Sequence, residues 1–257
     1  MSGFLRRPGV IALFISAIVI VLWQSALAPR TLVVPSPSEI GSEIKNHWDT
    51  YWPAVVATAR TAAKGLVVGC GIAIFLAACS LLARPIETVL LRLGVALYSV
   101  PIIVVAPLLI LWLGQGDRPR IAVAALAVFF GVLVNSIRGL RSATPESSEF
   151  FHVVSANGLQ TLRHLRVPSS LPFFFSALKV AMPAAVFGTI IGEWIGANKG
   201  LGVTMYYALY QFNVPQLWTA MALSTAIALG GYLLVGVVER IVIPWHESVR
   251  ASRLETG

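Results

Sequence analysis

Long uncharged apolar runs alternate with short polar segments along the whole of this 257-residue chain. A helix rises 1.5 Å per residue, so about 20 consecutive apolar residues cross the hydrocarbon core of a bilayer. The pattern predicts about six such spans, near residues 9–28, 54–83, 93–113, 121–137, 171–197 and 214–238. Residues 200–211 are also uncharged and read as a short re-entrant or interfacial piece. The expected fold is therefore an all-α polytopic membrane protein.

Three features interrupt the pattern. Residues 145–172 form a polar, basic island that reads as two short helices broken at Ala156-Asn157-Gly158, because Asn-Gly is a strong turn signal. The second is expected to stop at Pro168, which cannot continue a helix. Next, the fifth span holds both Lys179 and Glu193, although a charge at the bilayer centre costs about 2.5 to 3.5 kcal/mol on insertion scales. They lie about 21 Å apart along a helix, so they can sit near opposite faces, with Lys179 snorkelling to the interface. Glu193 then falls near the outer mouth, as a gate or a structural hydrogen-bonding group. The last feature is proline within spans: Pro101 and Pro107 in the third, Pro183 in the fifth. Each removes a backbone hydrogen bond and is expected to kink its helix, which lines a path or serves packing. Gly188, Gly192 and Gly196 repeat on one helix face and read as close packing. Asn135 joins the candidates for a pathway, as do Tyr98, Tyr206, Tyr207 and Tyr210, which an interfacial aromatic belt explains equally well.

Composition agrees: 57% of residues are hydrophobic, 12% are charged, and the mean hydropathy is +0.80. The net charge of +8 is scattered between spans, so it reports topology rather than a nucleic-acid footprint. Arg6, Arg7, Arg84, Arg92, Arg138, Arg141, Arg163 and Arg166 all fall on the side of both termini, which the positive-inside rule assigns to the cytosol. Arg6-Arg7 and Ala26-Leu27-Ala28 imitate a cleavable signal peptide, but an uncleaved first span is the preferred reading. Cys70 and Cys79, nine residues apart on one helix, read as small packing residues. No histidine has metal-ligand spacing, and no Gly-x-x-x-x-Gly-Lys-Ser/Thr loop occurs, so any ATP must be bound by another chain. Nor do paired carboxylates or a nucleophile with its base suggest bond chemistry. The alternative class, an ion-coupled secondary transporter or channel, would need coupling carboxylates or a polar filter, and Glu193 alone is thin support.

At the island, Glu149-Phe-Phe-His-Val-Val-Ser155-Ala-Asn-Gly-Leu-Gln-Thr-Leu-Arg-His-Leu165-Arg-Val-Pro168 resembles the EAA motif of ABC-type importer permeases. Glu149 falls on the motif's Glu, Ser155 on its Gly, Leu165 and Val167 on its apolar pair and Pro168 on its Pro. Phe150 and Phe151 replace its alanines, and the Gly-to-Ser change moves the flexible position to Gly158 or removes it. Four further segments, in order, resemble those of the nitrate, sulfonate, taurine and bicarbonate permeases: Val34-Pro-Ser-Pro-Ser-Glu-Ile40, Ser99-Val-Pro through Leu-Gly114, Phe129-Phe-Gly-Val-Leu-Val-Asn135, and Gly192-Glu-Trp through Leu-Gly202.

The resemblance implies a type I ABC importer permease-like bundle in a bacterial plasma membrane. It divides into a first helix with external linker (1–53), a core (54–240) carrying a cytosolic coupling loop (142–170), and a cytosolic tail (241–257). The implied partners are ABC ATPase subunits, an extracytoplasmic substrate-binding protein and a second permease copy. Phe150, Phe151, Val153 and Val154 would anchor the loop in a groove of the ATPase, with Glu149, Ser155, Gly158 and Pro168 completing the element. On their own, these residues are equally a solvated loop tucked against the inner leaflet. Glu193, Asn135, Pro101 and Pro107 are the gate or pathway candidates. The family's cargoes are small anions, while close relatives carry pyrimidine-type vitamin precursors and riboflavin, a branch that Ala181-Met-Pro-Ala-Ala-Val-Phe-Gly188 faintly resembles.

Overall fold

Ser36 carries a reciprocal cap: its hydroxyl accepts from the Glu39 N–H at 3.2 Å, and its own N–H donates to Glu39 Oε2 at 2.9 Å. This starts α1 (Pro37–Asn46). The computed structural model describes residues 18, 21–27 and 34–244, so most of the predicted first span and the predicted tail lie outside the described residues. Helices then follow one another: α2 (Trp48–Cys79), α3 (Arg84–Ser99), α4 (Ile102–Leu113), α5 (Asp117–Leu140) and α6 (Pro145–Val153). After α6 come α7 (Gly158–Gly196), α8 (Leu201–Tyr210) and α9 (Val214–Val242).

Among the described residues, α2, α5, α7 and α9 are each long and apolar enough to cross a membrane. The bundle is organised around α5, whose Val128, Val132, Leu133 and Ile137 are buried between α2 and α7. Small residues permit this. A Cβ added at Gly188 of α7 would lie 2.9 Å from the Ala127 Cβ, so only glycine lets the two backbones approach.

The third predicted span is a broken pair rather than one kinked helix. α3 and α4 meet at 98° across extended Val100 and Pro101. Even so, the pair traverses the bundle. Glu87 near the start of α3 pairs with Arg141 at one end of α5. Tyr98 stacks on Phe130 halfway along, and Ile110 of α4 reaches Gly196 at the other end. By contrast, Pro107 and Pro183 sit inside unbroken helices.

The island also differs from expectation. Its second helix does not end at Pro168 but runs into the membrane as α7, through one π turn at Leu162–Arg166. In a regular helix the proline ring would strike the carbonyl of His164. The wider turn, closed by the Val167 N–H on the Leu162 carbonyl, falls at that residue and accommodates it. Residues 200–211, read from the sequence as a short re-entrant or interfacial piece, hold a short helix, α8. Lys179 does not simply snorkel: its ammonium meets the Glu239 carboxylate of α9.

Candidate functional site

The loop between α5 and α7 is built by local chemistry. Thr144 caps α6, accepting from the Ser147 N–H at 3.3 Å, and Pro145 takes the first helical position, where its missing N–H costs nothing. The helix ends at Ser155, whose φ of +54° is left-handed. Ser155 N–H bonds the His152 carbonyl and Ala156 N–H bonds the Phe151 carbonyl, both at 3.0 Å, which is the pairing of a Schellman stop. A glycine usually occupies that position. The left-handed position of the motif therefore stays at 155, with a serine in it. Gly158 instead begins α7 behind a second reciprocal cap, Asn157 with Gln160, at 2.8 Å in both directions.

The predicted anchors are brought to this surface unequally. Phe150 is 62% exposed and Val153 80%, with Val154 also exposed and Leu159 of α7 adding a fourth apolar side chain. Phe151 is half-buried, its ring edge-on to Phe150 at 5.9 Å. Glu149 is exposed on the same helix and Pro168 is half-buried at the membrane end of the π turn. Behind the loop, Arg141 reaches Glu87 of α3, and Ser142 Oγ donates to the Gly139 carbonyl at 2.7 Å and the Ser169 carbonyl at 3.0 Å.

Three adjoining cavities run along one face of the bundle. One of about 450 Å³ is lined by Tyr98, Phe130, Asn135, Ser176 and Val180, among others. It shares Tyr98, Ala127 and Ala184 with a second, about 250 Å³, at the α3–α4 elbow. That cavity shares Pro101, Ile102 and Phe187 with a third, about 970 Å³, reaching Trp194, Tyr206, Tyr210, Ser224 and Thr225. Two of the predicted pathway residues, Asn135 and Pro101, thus lie on one continuous face; Pro107 is exposed on α4 and lines none of the three. No Asp, Glu, Lys or Arg lines any of these cavities.

Glu193 lies elsewhere, 2% exposed. Its carboxylate accepts from Thr58 Oγ1 of α2 at 2.8 and 3.1 Å and from the Gly202 N–H at 2.7 Å, while the Leu201 N–H donates to Thr58 Oγ1 at 2.8 Å. The pair satisfies the first amides of α8 and fixes that helix to α2 and α7. A side chain at Gly200, with φ +135°, would collide with the carboxyl group, so glycine is required there. Sequence reasoning missed Thr58, Glu239, Glu87 and Arg141. An unpaired Lys179 inside a span was the one signal pointing to a hidden acid.

Residues 69–247 match the family described as binding-protein-dependent transport system inner membrane component. The formylaminopyrimidine transport permease protein ThiX of Halalkalibacterium halodurans is 30% identical over 230 residues, 88% of this chain and 92% of that protein. The riboflavin transport system permease protein RibX of Chloroflexus aurantiacus is 29% identical over 239 residues, covering 90% and 88%. A putative aliphatic sulfonates transport permease protein, SsuC of Bacillus subtilis, is 23% identical over 242 residues, covering 92% and 87%. Among solved structures, a chain of the MetNI methionine ABC transporter superposes with a TM-score of 0.58 at 17% identity, over 80% of this chain and 99% of that one. The fold is that of a type I importer permease, and the chain belongs to the binding-protein-dependent transport system inner membrane components, as a permease subunit of an ATP-binding-cassette importer rather than an ion-coupled carrier.

Proposed function

We propose that two copies of this chain enclose one pathway between their cavity-bearing faces, with α6 in the cytosol against an ATPase subunit and α8 toward an external substrate-binding protein. The grouping of Arg141, Arg163 and Arg166 at the α6 end supports that orientation. Nucleotide is bound by the ATPase alone, and this chain makes and breaks no bonds. Closure of the ATPases moves α6, and the pathway switches the side to which it opens because the binding protein and ATP favour different states.

The cargo, on this reading, is a planar, uncharged heteroaromatic molecule of the pyrimidine or flavin type rather than a sulfonate. The observation carrying it is the cavity lining: Tyr98, Phe187, Trp194, Tyr206 and Tyr210 offer ring faces, Asn135, Ser224 and Thr225 offer hydrogen bonds, and no cation is present. A second copy adds the same residues. A sulfonate keeps its charge, and moving it through such a lining strips its hydration with no counter-charge to replace it. The similarity to permeases named for formylaminopyrimidine and riboflavin points the same way. The test is uptake by the complete transporter in proteoliposomes, with formylaminopyrimidine, riboflavin, taurine and an alkanesulfonate offered in turn. ATP-dependent accumulation of a heteroaromatic is expected; accumulation of taurine or the sulfonate alone overturns the cargo assignment.

A further inference from the structure

One ion pair ties the root of the loop that carries α6 to α3. α5 ends at Arg141, and only Ser142 and Ala143 separate it from the Thr144 cap of α6. Three residues span about 10 Å at most, so α6 cannot shift far without drawing on Arg141. Arg141 in turn holds Glu87, in the first turn of α3. A cation at the end of α5 and a carboxylate at the start of α3 also suit the two helix dipoles.

α3 is loosely held otherwise. Of its sixteen residues only Gly94 is buried. It lies against the bundle through Leu91, through Gly94 beneath the Phe130 ring and through Tyr98 stacked on Phe130 at 5.0 Å. Its far end is the 98° elbow, where Tyr98 and Pro101 line the cavities. An exposed ion pair would ordinarily contribute little. Here its position matters more than its strength, because it joins the root of the loop to a helix with few other attachments.

We infer that Arg141 and Glu87 are positioning residues for transport: their ion pair makes α3, and with it the Tyr98–Pro101 elbow, follow α6 when the ATPase moves. This rests on α6 being the ATPase contact. Without the pair, α6 still docks and ATP is still hydrolysed, but the elbow no longer follows.

The experiment uses the complete transporter, with its ATPase and binding protein, and measures cargo accumulated per ATP hydrolysed. Glu87→Gln and Arg141→Met should each keep ATPase association and basal hydrolysis while lowering that ratio by about five- to tenfold, a typical coupling between sites. The exchanged variant, Glu87→Arg with Arg141→Glu, should recover most of it. As an independent readout, Leu97→Cys in a Cys70→Ala, Cys79→Ala background should change its maleimide reactivity with nucleotide, and should cease to do so when Glu87→Gln is added. An unchanged ratio in both single variants, a proportional fall of transport and hydrolysis together with loss of assembly, or nucleotide-dependent labelling that survives Glu87→Gln would each overturn the inference. Failure of the underlying reading looks different: Phe150→Asp would then leave ATPase association intact.

Discussion

Replacing Glu193 tests whether α8 is positioned from outside itself. Glu193→Ala deprives the Gly202 N–H and the Thr58 hydroxyl of their acceptor in a site 2% exposed. Each buried donor left unsatisfied costs about 1 to 3 kcal/mol, so the loss is about 2 to 6 kcal/mol before any cavity is counted. Glu193→Gln keeps the volume and one acceptor oxygen, so one donor stays served and the cost is about half as large. Thr58→Val leaves the Leu201 N–H without its partner and should fall between the two. Hydrogen exchange at Leu201 and Gly202 reads the effect directly, with loss of protection in the order alanine, valine, glutamine. Tyr206 and Tyr210 of α8 line the cavity of about 970 Å³, so uptake should fall in the same order while the ATPase remains bound. Protected amides and normal uptake in Glu193→Ala would refute the capping argument, and loss of the ATPase would show that the carboxylate serves assembly instead.

Three further outcomes follow from the geometry. Phe150→Asp with Phe151→Asp should abolish co-purification of the ATPase while the chain still inserts; retention of the ATPase would contradict docking through α6. Ser155→Gly should raise thermal stability by up to about 1 kcal/mol, because a left-handed residue strains any side chain, whereas Ser155→Val should lower it. Lys179→Met strands the Glu239 carboxylate between α7 and α9 and should cost about 3 to 5 kcal/mol, while Lys179→Met with Glu239→Leu should lie close to wild type in thermal unfolding. Equal losses in the single and double variants would show that the charges do not act as a pair.

The spans were legible because a bilayer demands one thing of a sequence, an apolar run of sufficient length, and 54–83, 121–137, 171–197 and 214–238 each supply it. The elbow was not legible. Both halves of 93–113 are apolar, and Pro101, Pro107 and Pro183 look alike in sequence, yet only Pro101 follows a residue, Val100, in extended backbone. Whether a proline breaks a helix depends on whether neighbours satisfy the freed carbonyl, which is a tertiary property. The break between α6 and α7 was readable from Asn157-Gly158, since a turn signal acts within a few residues. The continuation of α7 past Pro168 was not, because a π turn leaves no mark in composition. The buried polar pairs escaped for the same reason: Thr58 lies 135 residues from Glu193, and Glu239 lies 60 from Lys179.

Those two pairs also decide which parts of the molecule are free to move. α7 runs unbroken from Gly158 to Gly196, about 58 Å, and both pairs grip it. Glu193 binds its far end to α2 and α8, Lys179 binds its middle to α9, and Gly139 of α5 would place a Cβ 3.0 Å from Ser170 and Phe173, so α5 and α7 are in backbone contact near the loop. In a low-dielectric interior such polar links break only at a cost of several kcal/mol, and packed backbones do not slide gradually. α2, α5, α7, α8 and α9 are therefore braced to one another and resist displacement relative to one another. α3 and α4 lie outside that bracing, joined to it by an ion pair at one end, a ring stack at the elbow and apolar contacts beyond. If α6 is the ATPase contact proposed above, the surface that moves as the pathway opens to one side and then the other is the elbow, and the wall it moves against is the braced set.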